Sequence, residues 1–172
     1  MIYKFIDMKN KHFWIFLSFV ALAMNAFGLY LQHMKGLEPC VKCIDQRVAL
    51  YLVSLFSLLR AAVSSCKKTR RIITILTLAS VSYATYLAVE HHIMASNPNP
   101  FAMTCALDPN LPSWLPLHEW IPQLFAVKGM CGETELKFLN KGLVEWTIIG
   151  CSALSLYTLV GFSRITLLLK RK

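Results

Sequence analysis

The sequence predicts an all-α membrane protein, a bundle of four transmembrane helices with both termini in the cytoplasm, a short first outer loop and a long second outer loop. Hydrophobic residues make up 56% of the 172 residues, and the mean hydropathy is +0.50. This is too apolar for an ordinary soluble domain. Because the apolar residues are also gathered into runs of nearly membrane-spanning length, we expect residues 1–172 to form a single membrane domain.

The four helices are predicted from apolar runs at about 13–31, 48–63, 72–89 and 146–169. Each run is close to the roughly 20 helical residues that cross about 30 Å of hydrocarbon. Arg60 and Arg164 interrupt the second and fourth runs near their predicted cytoplasmic ends, where a long cationic side chain reaches the headgroups. A cleaved signal peptide is the alternative for the first run, but the run continues to Leu31, so we expect a retained helix.

The basic residues predict the orientation of the bundle. Twelve of the eighteen Lys and Arg residues fall on the side of the two termini, whereas eight of the nine acidic residues fall on the other side. Since cytoplasmic segments carry the excess of Lys and Arg, both termini are expected in the cytoplasm. Anionic headgroups account for the net charge of +9, and with no nucleic-acid-binding motif beside it we expect no nucleic acid partner.

The two outer loops are predicted at residues 32–47 and 90–143. In the second loop, the Asn-Pro-Asn-Pro stretch at 97–100 opposes both helix and sheet, so we expect the region around Cys105 to be mobile.

Further along this loop lies a surface segment, residues 114–125, in which apolar residues recur at three- and four-residue spacing. Pro116 and Pro122 limit any helix there to short pieces. We expect a broken amphipathic segment on the outer membrane surface, with Trp114 and Trp120 at headgroup level. The segment either only anchors the loop or also lets Cys131 travel along the membrane plane.

Four cysteines lie in the predicted outer loops, Cys40 and Cys43 in the first and Cys105 and Cys131 in the second. A Cys-x-x-Cys pair places two sulfurs one helical turn apart or across a tight turn, close enough to bond and to depress the pKa of one thiol. Covalent haem attachment is excluded because Ile44, not His, follows the second cysteine.

Two other interpretations of these four cysteines stay open. They could in principle bind zinc, although Cys105 and Cys131 are 26 residues apart in sequence and lack the second close pair of a zinc ribbon. They could also form purely structural disulfides, which an oxidising compartment permits. Against this stands the position of the first pair directly before a helix.

Arg47 follows Cys43 by four residues, so the two share a face of the second helix, where a guanidinium favours a thiolate. The simpler interpretation of Arg47 is an interfacial cation that marks the end of the helix. The negative charge of Asp45 disfavours a thiolate at Cys43, so the redox potential of the motif stays open. Cys66 is predicted at the cytoplasmic end of the second helix and Cys151 within the fourth helix, both away from the four loop cysteines. We expect both to be inert thiols.

The motifs together carry a resemblance across nearly the whole chain. They are Pro39-Cys40-Val41-Lys42-Cys43 with Gln46-Arg47, Glu90-His91, Pro100-Phe101 with Cys105, Trp114-Leu115-Pro116-Leu117, and Gly129-Met130-Cys131. In these motifs the sequence resembles the disulfide bond formation protein B (DsbB) family of bacterial inner-membrane oxidoreductases. The resemblance implies a protein-disulfide:quinone oxidoreductase that reoxidises a periplasmic DsbA-type thiol oxidase and passes the electrons to membrane quinone.

The resemblance also implies roles for the four loop cysteines. Cys105 and Cys131 would form the disulfide attacked by the reduced partner, with Cys105 taking the mixed disulfide. Cys131 would then attack Cys40 and release Cys43 as a thiolate against the quinone. Closure of the Cys40–Cys43 disulfide would reduce the quinone, and the disulfide would return by exchange to Cys105 and Cys131, without flavin or metal.

Arg47 and His91 complete the implied quinone site together with Cys43. Arg47 would support the thiolate and hydrogen-bond a quinone carbonyl, and His91 would line the pocket or help to deliver protons. Ubiquinone and menaquinone are both compatible with these residues. Two rival functions remain, a relative dedicated to one specialised client oxidase and a non-catalytic membrane subunit whose loops are stapled by disulfides.

Overall fold

A computed structural model describes residues 10–63, 67–96, 115–129, 137–138 and 140–170 of the chain. Four long helices dominate it. In chain order the elements are α1 (Lys11–Met34), α2 (Val41–Ala62), α3 (Lys67–Ala95), α4 (Leu117–Trp120), α5 (Pro122–Phe125), β1 (Lys137–Phe138), β2 (Lys141–Gly142) and α6 (Leu143–Lys170).

The long helices pack in sequence order, α1 on α2, α2 on α3, and α3 on α6. Each is longer than the apolar run that predicts it, because backbone hydrogen bonding continues through polar residues beyond the apolar stretch. Of the predicted first loop, 32–47, only residues 35–40 lie between helices. The consequence for the site is that Cys43 and Arg47, assigned to a loop by hydropathy, stand on the first two turns of α2.

Within the described residues, three helices are long and apolar enough to cross a membrane: Lys11–Met34, Lys68–Ala95 and Leu143–Phe162. The fourth predicted span lies in α2, whose apolar part begins only at Val48, after Asp45, Gln46 and Arg47. These polar residues leave α2 outside the set of three. The all-α membrane class is thus supported, while the fourth span and the sidedness remain predictions.

The core runs along the inner faces of the four long helices. Phe13, Trp14 and Leu17 of α1 are buried against apolar residues of α2, α3 and α6. Outward-facing apolar side chains are left exposed, among them Phe19 at 68% and Leu156 at 63%. An outer surface made of apolar side chains suits lipid rather than water, since a soluble monomer rarely exposes so much apolar area.

Polar side chains tie the helices together across this core. The hydroxyls of Ser18 and Ser54 are 2.7 Å apart between α1 and α2, and those of Thr85 and Ser155 are 2.7 Å apart between α3 and α6. Small hydroxyl residues at helix interfaces allow close approach and hydrogen-bond across it, as is typical of membrane bundles.

The surface segment is broken as predicted. Pro116 caps α4, and Pro122 stands at the first position of α5, where proline has no amide hydrogen to leave unpaired. Phe125 is buried and Trp120 is 61% exposed. The segment therefore presents one apolar anchor to the bundle and one aromatic ring outward.

Candidate active site

The Cys-x-x-Cys motif occupies the start of α2. Cys40 is the N-cap residue, in extended conformation, and Cys43 stands in the first turn. Residues three apart lie on one face of a helix, and here the two Sγ atoms are 3.1 Å apart as free thiols. The pair is therefore in contact and can close to a disulfide by a small movement.

The hydrogen bond between the two sulfurs shifts their pKa values in opposite directions. It is the largest cause that lowers the pKa of Cys40 to about 4, with a further contribution from His91. The same hydrogen bond and burial raise the pKa of Cys43. Cys40 also sits at the N-terminus of a helix, where the helix dipole favours a thiolate.

His91 contacts Cys40 rather than Cys43. It comes from the C-terminal part of α3, is 3% exposed, and its Nε2 lies 3.6 Å from the Cys40 sulfur. Its Nδ1 lies 3.4 Å from the amide nitrogen of Gln46, and the same nitrogen donates to the carbonyl of Leu87 at 3.2 Å. The imidazole is thus held between α2 and α3 on the Cys40 side of the pair.

Arg47 lies on the Cys43 side of the pair and is itself buried. Its guanidinium donates to the side-chain oxygen of Gln32 at 3.0 Å and to the carbonyl of Leu124 in the surface segment. The backbone carbonyl of Arg47 accepts from the buried Asn25 at 3.3 Å. Arg47 therefore joins α1, α2 and α5 at one point.

A cavity of about 510 Å³ opens between these elements. Its walls are mostly apolar, with a few polar groups at the end where Cys43 and Arg47 lie. Its lining residues include Met24, Leu50, Trp146, Gly150, Gln46 and Gln32, together with Cys43 and Arg47. An apolar cavity with a few convergent polar groups is the usual form of a small-molecule site.

The predicted quinone residues divide between the two sides of the dithiol. Cys43 and Arg47 line the cavity, whereas His91 is not among its lining residues and contacts Cys40. Cys105 and Cys131 lie outside the described residues, as does Cys66. Cys151 is buried in α6 among core residues, as expected of an inert thiol.

The chain that leads to Cys131 is fastened beside Cys40. The backbone amides of Lys128 and Gly129 both donate to the carbonyl of Pro39, at 3.0 and 3.1 Å. A Cβ atom at Gly129 would lie 2.5 Å from the carbonyl oxygen of Glu38. The two loops therefore meet at the residue that precedes the first cysteine of the motif, and the approach requires glycine.

Two of the charges near the motif are also placed. Lys42 forms an ion pair with Glu90 at 2.9 Å, which ties the start of α2 to the end of α3. Asp45 is 6% exposed.

Asn25 and Gln32 contact Arg47, and the sequence analysis predicted a role for neither. The available signal was a polar residue within or beside an otherwise apolar run, which usually marks a functional or packing site in a membrane helix.

Cys40, Cys43 and His91 also form a possible metal-binding group, because their ligand atoms lie within 4.8 Å of one another. This set differs from the four-cysteine zinc site considered above. Two thiolates and an imidazole suit a soft or borderline cation such as Zn²⁺. The hydrogen bond at the other nitrogen of the imidazole, Nδ1, decides whether His91 can serve as a ligand.

Fold and site together define a class, a multi-pass helical membrane protein with a partly buried dithiol beside an apolar cavity. The chain matches the family described as disulfide bond formation protein DsbB over residues 10–161. The protein belongs to the DsbB family.

Several curated relatives, each called disulfide bond formation protein B, support the assignment. One from Shewanella amazonensis is 37% identical over 158 residues, which is 92% of this chain and 91% of the relative. One from Pseudoalteromonas atlantica is 36% identical over 136 residues, 79% of each chain. One from Escherichia coli O1:K1 / APEC is 36% identical over 140 residues, 81% of this chain and 78% of the relative.

Proposed function

We propose that the protein is a thiol–disulfide oxidoreductase of the bacterial inner membrane. It takes electrons from a reduced periplasmic DsbA-type thiol oxidase and passes them to membrane quinone, which sustains disulfide formation. The observation that carries the proposal is the dithiol itself, with the Cys43 sulfur on an apolar cavity that also contains a guanidinium.

The cavity fits a quinone headgroup. Such a ring is flat and apolar, and it carries two carbonyl oxygens that need hydrogen-bond donors. The walls supply apolar contact through Leu50 and Trp146, and Arg47 supplies N–H donors at the Cys43 end. When bound there, a quinone accepts two electrons and two protons, and the remaining steps belong to the cysteines of the chain.

Entry of electrons is assigned to Cys105 and Cys131. The thiolate of the reduced partner attacks Cys105 and breaks its disulfide with Cys131, which leaves as a thiolate. Cys131 then attacks Cys40, so that a Cys40–Cys131 bond forms and the Cys40–Cys43 bond breaks. The second thiol of the partner attacks the mixed disulfide at the partner's own sulfur, which oxidises the partner and frees Cys105.

The contact between Gly129 and Pro39 supports the transfer between loops. Cys131 follows Gly129 by two residues, and consecutive Cα atoms are 3.8 Å apart, so the two Cα atoms are separated by at most about 7.6 Å. Gly129 is hydrogen-bonded to the residue before Cys40. Chain connectivity thus limits how far Cys131 can lie from the residue that precedes Cys40.

Bonding of Cys40 to Cys131 changes the electrostatics of Cys43. In the dithiol, the hydrogen bond with Cys40 is the largest cause of the raised pKa of Cys43 and burial is the second, whereas Arg47 acts to lower it. When Cys40 is bonded to Cys131 the first cause is gone, while burial and the guanidinium remain. The pKa of Cys43 is then lower than in the dithiol, which makes its thiolate easier to form on the cavity side.

The cycle closes in two balanced steps. Cys105 attacks Cys131, which re-forms the Cys105–Cys131 disulfide and releases Cys40 as a thiolate. Cys40 and Cys43 then bond to each other as thiolates and release two electrons, which a bound quinone would accept. The two protons that complete its reduction come from solvent and balance the two that the partner's thiols released. Both termini are assigned to the cytoplasm and the redox cysteines to the periplasmic side, in line with the distribution of basic residues.

The experiment that tests the proposal is quinone reduction by purified protein in detergent, supplied with a reduced DsbA-type oxidase. We expect turnover in the wild type, loss of turnover in Cys43→Ala, and wild-type turnover in the matched control Cys151→Ala. Cys105→Ala should lose turnover with the partner while Cys40 and Cys43 still exchange electrons with quinone.

Each rival function gives a different result in this assay. Equal rates in Cys43→Ala and wild type would favour the disulfide-stapled subunit. A folded wild type that is inactive with a general DsbA-type oxidase, but active with one particular oxidase, would identify a relative dedicated to a single client.

A further inference from the structure

We propose that Gln46 is a positioning residue that holds His91 in the tautomer whose Nε2–H points at the sulfur of Cys40. The role in the cycle rests on the proposed function, whereas the tautomer itself follows from hydrogen bonds among buried groups. Gln46, His91 and Cys40 are 5%, 3% and 3% exposed, so water competes little for these contacts.

The orientation of the Gln46 amide follows from Leu87. A backbone carbonyl oxygen only accepts hydrogen bonds, so the amide atom that lies 3.2 Å from it is the NH₂ nitrogen. The same nitrogen is 3.4 Å from Nδ1 of His91. An amide NH₂ group only donates, and Nδ1 must therefore accept through its lone pair.

A neutral imidazole that accepts at Nδ1 carries its hydrogen on Nε2. That nitrogen is 3.6 Å from the Cys40 sulfur, a distance suited to an N–H···S hydrogen bond. Sulfur accepts best as the thiolate. The geometry therefore stabilises the negative charge on Cys40 with a neutral donor and needs no imidazolium.

This arrangement assists the step in which Cys40 leaves. When Cys105 attacks Cys131, the bond between Cys131 and Cys40 breaks, and a leaving thiol with a lower pKa leaves faster. The other ionisable groups adjoining the contact are Cys43, 3.1 Å from Cys40, and the ion pair of Lys42 with Glu90. Gln46 adds no charge of its own and acts through His91.

The same tautomer opposes metal binding at Cys40, Cys43 and His91. A metal would need the lone pair of Nε2, with the hydrogen moved to Nδ1 and an acceptor facing that nitrogen. Gln46 presents a donor there instead. The buried cluster thus resembles a zinc site in ligand type and spacing, but its second layer of contacts favours a thiolate.

The test measures the imidazole directly, by NMR of ¹⁵N-histidine-labelled reduced protein in detergent, with the His91 signals assigned from His91→Gln. We expect the hydrogen on Nε2 in the wild type and a mixture of tautomers in Gln46→Leu. Gln32→Leu is the matched control, because Gln32 contacts Arg47 instead of His91, and it should leave the His91 signals unchanged.

A second readout follows the Cys40 thiol in a Cys43→Ala background, where the side-chain contact of Cys40 with His91 remains. Gln46→Leu should slow alkylation of Cys40 about tenfold at a fixed pH below the thiol pKa, which corresponds to a rise of about one pKa unit. Gln32→Leu should leave the rate unchanged.

Three outcomes would overturn the proposal. They are a hydrogen on Nδ1 of His91 in the wild type, unchanged His91 signals in Gln46→Leu, and binding of added Zn²⁺ through Nε2 in the wild type. None of these measurements uses quinone turnover, so failure here is distinguishable from failure of the proposed function.

Discussion

The backbone amide of Gly129 donates to the carbonyl of Pro39 across 3.1 Å. This hydrogen bond joins the chain before Cys131 to the chain before Cys40. The two backbones approach so closely that position 129 has no room for a side chain. The proposed thiol–disulfide exchange between the loops depends on this close approach.

Gly129→Ala is expected to slow that exchange. The added Cβ would lie 2.5 Å from the carbonyl oxygen of Glu38, so one of the two backbones must move. We expect formation of the Cys40–Cys131 disulfide to slow about tenfold or more, because misplacement by about 1 Å costs up to two orders of magnitude in rate. Non-reducing electrophoresis of acid-quenched samples measures it. Gly142→Ala, where a Cβ meets nothing within 4 Å, is the control, and equal rates in the two variants would contradict the prediction.

Arg47→Ala is expected to weaken quinone binding. Loss of a charge-assisted hydrogen bond costs about 1.5–3 kcal/mol, so the apparent KM for quinone should rise about tenfold or more while the disulfides still form. Arg60→Ala is the matched control on the same helix, since Arg60 contacts Thr74 and the Trp14 ring instead of the cavity. An unchanged KM in Arg47→Ala would remove the proposed role.

Gly150→Ala is expected to narrow the cavity. The new Cβ would lie 2.6 Å from the terminal methyl of Met24, and both residues line the cavity. Since the methionine side chain is flexible, it should move into the cavity rather than unfold the bundle. The KM for quinone should rise severalfold. Met24→Ala in the same chain should restore it, and failure of this rescue would argue against the explanation.

Cys40 of the reduced protein is expected to be alkylated as a thiolate at any pH well above about 4. Its pKa is lowered to about 4, so in the reduced protein alkylation of Cys40 should rise as pH passes about 4 and be constant from about pH 6 upward. Cys43 keeps its proton and should react slowly. Brief alkylation followed by peptide mass spectrometry measures both. In Cys43→Ala the largest cause of the lowered pKa is lost, and the Cys40 profile should move to higher pH.

Thr85→Val is expected to destabilise the packing of α3 on α6. The hydroxyl contacts Ser155 at 2.7 Å and the carbonyl of Cys151 at 3.2 Å. Loss of such interhelical bonds costs about 1 kcal/mol, seen as a lower Tm in detergent. Thr77→Val is the control, because the hydroxyl of Thr77 bonds to Ile73 of its own helix. A larger drop in Tm for Thr77→Val would contradict the prediction.

Local pattern was enough to predict part of the site. The four-residue spacing of Cys43 and Arg47 predicted a shared helix face, and both stand on the first two turns of α2. The prediction that Pro116 and Pro122 limit the surface segment to short helical pieces is also confirmed. These features depend on a few neighbouring residues, whose geometry is fixed by helix periodicity and by the absence of an amide hydrogen in proline.

Tertiary contacts were beyond reach of the sequence. Hydropathy began the second helix at Val48, but α2 begins at Val41, directly after the extended residue Cys40, because backbone hydrogen bonding continues through the polar residues of its first turns. The contacts of Gln32 with Arg47 and of Gln46 with His91 join residues 15 and 45 positions apart. No local periodicity encodes which of two neighbouring helices such a side chain meets.

The two sulfurs of the motif face different surroundings, although only two residues separate the cysteines. Cys40 meets His91 and lies near the loop that carries Cys131, whereas Cys43 opens on the apolar cavity. Under the proposed function, water-soluble thiols and the lipid-soluble oxidant would each meet a sulfur of their own. A partner thiol would then have no direct route to the quinone. This separation would protect the membrane quinone from direct reduction by other periplasmic thiols.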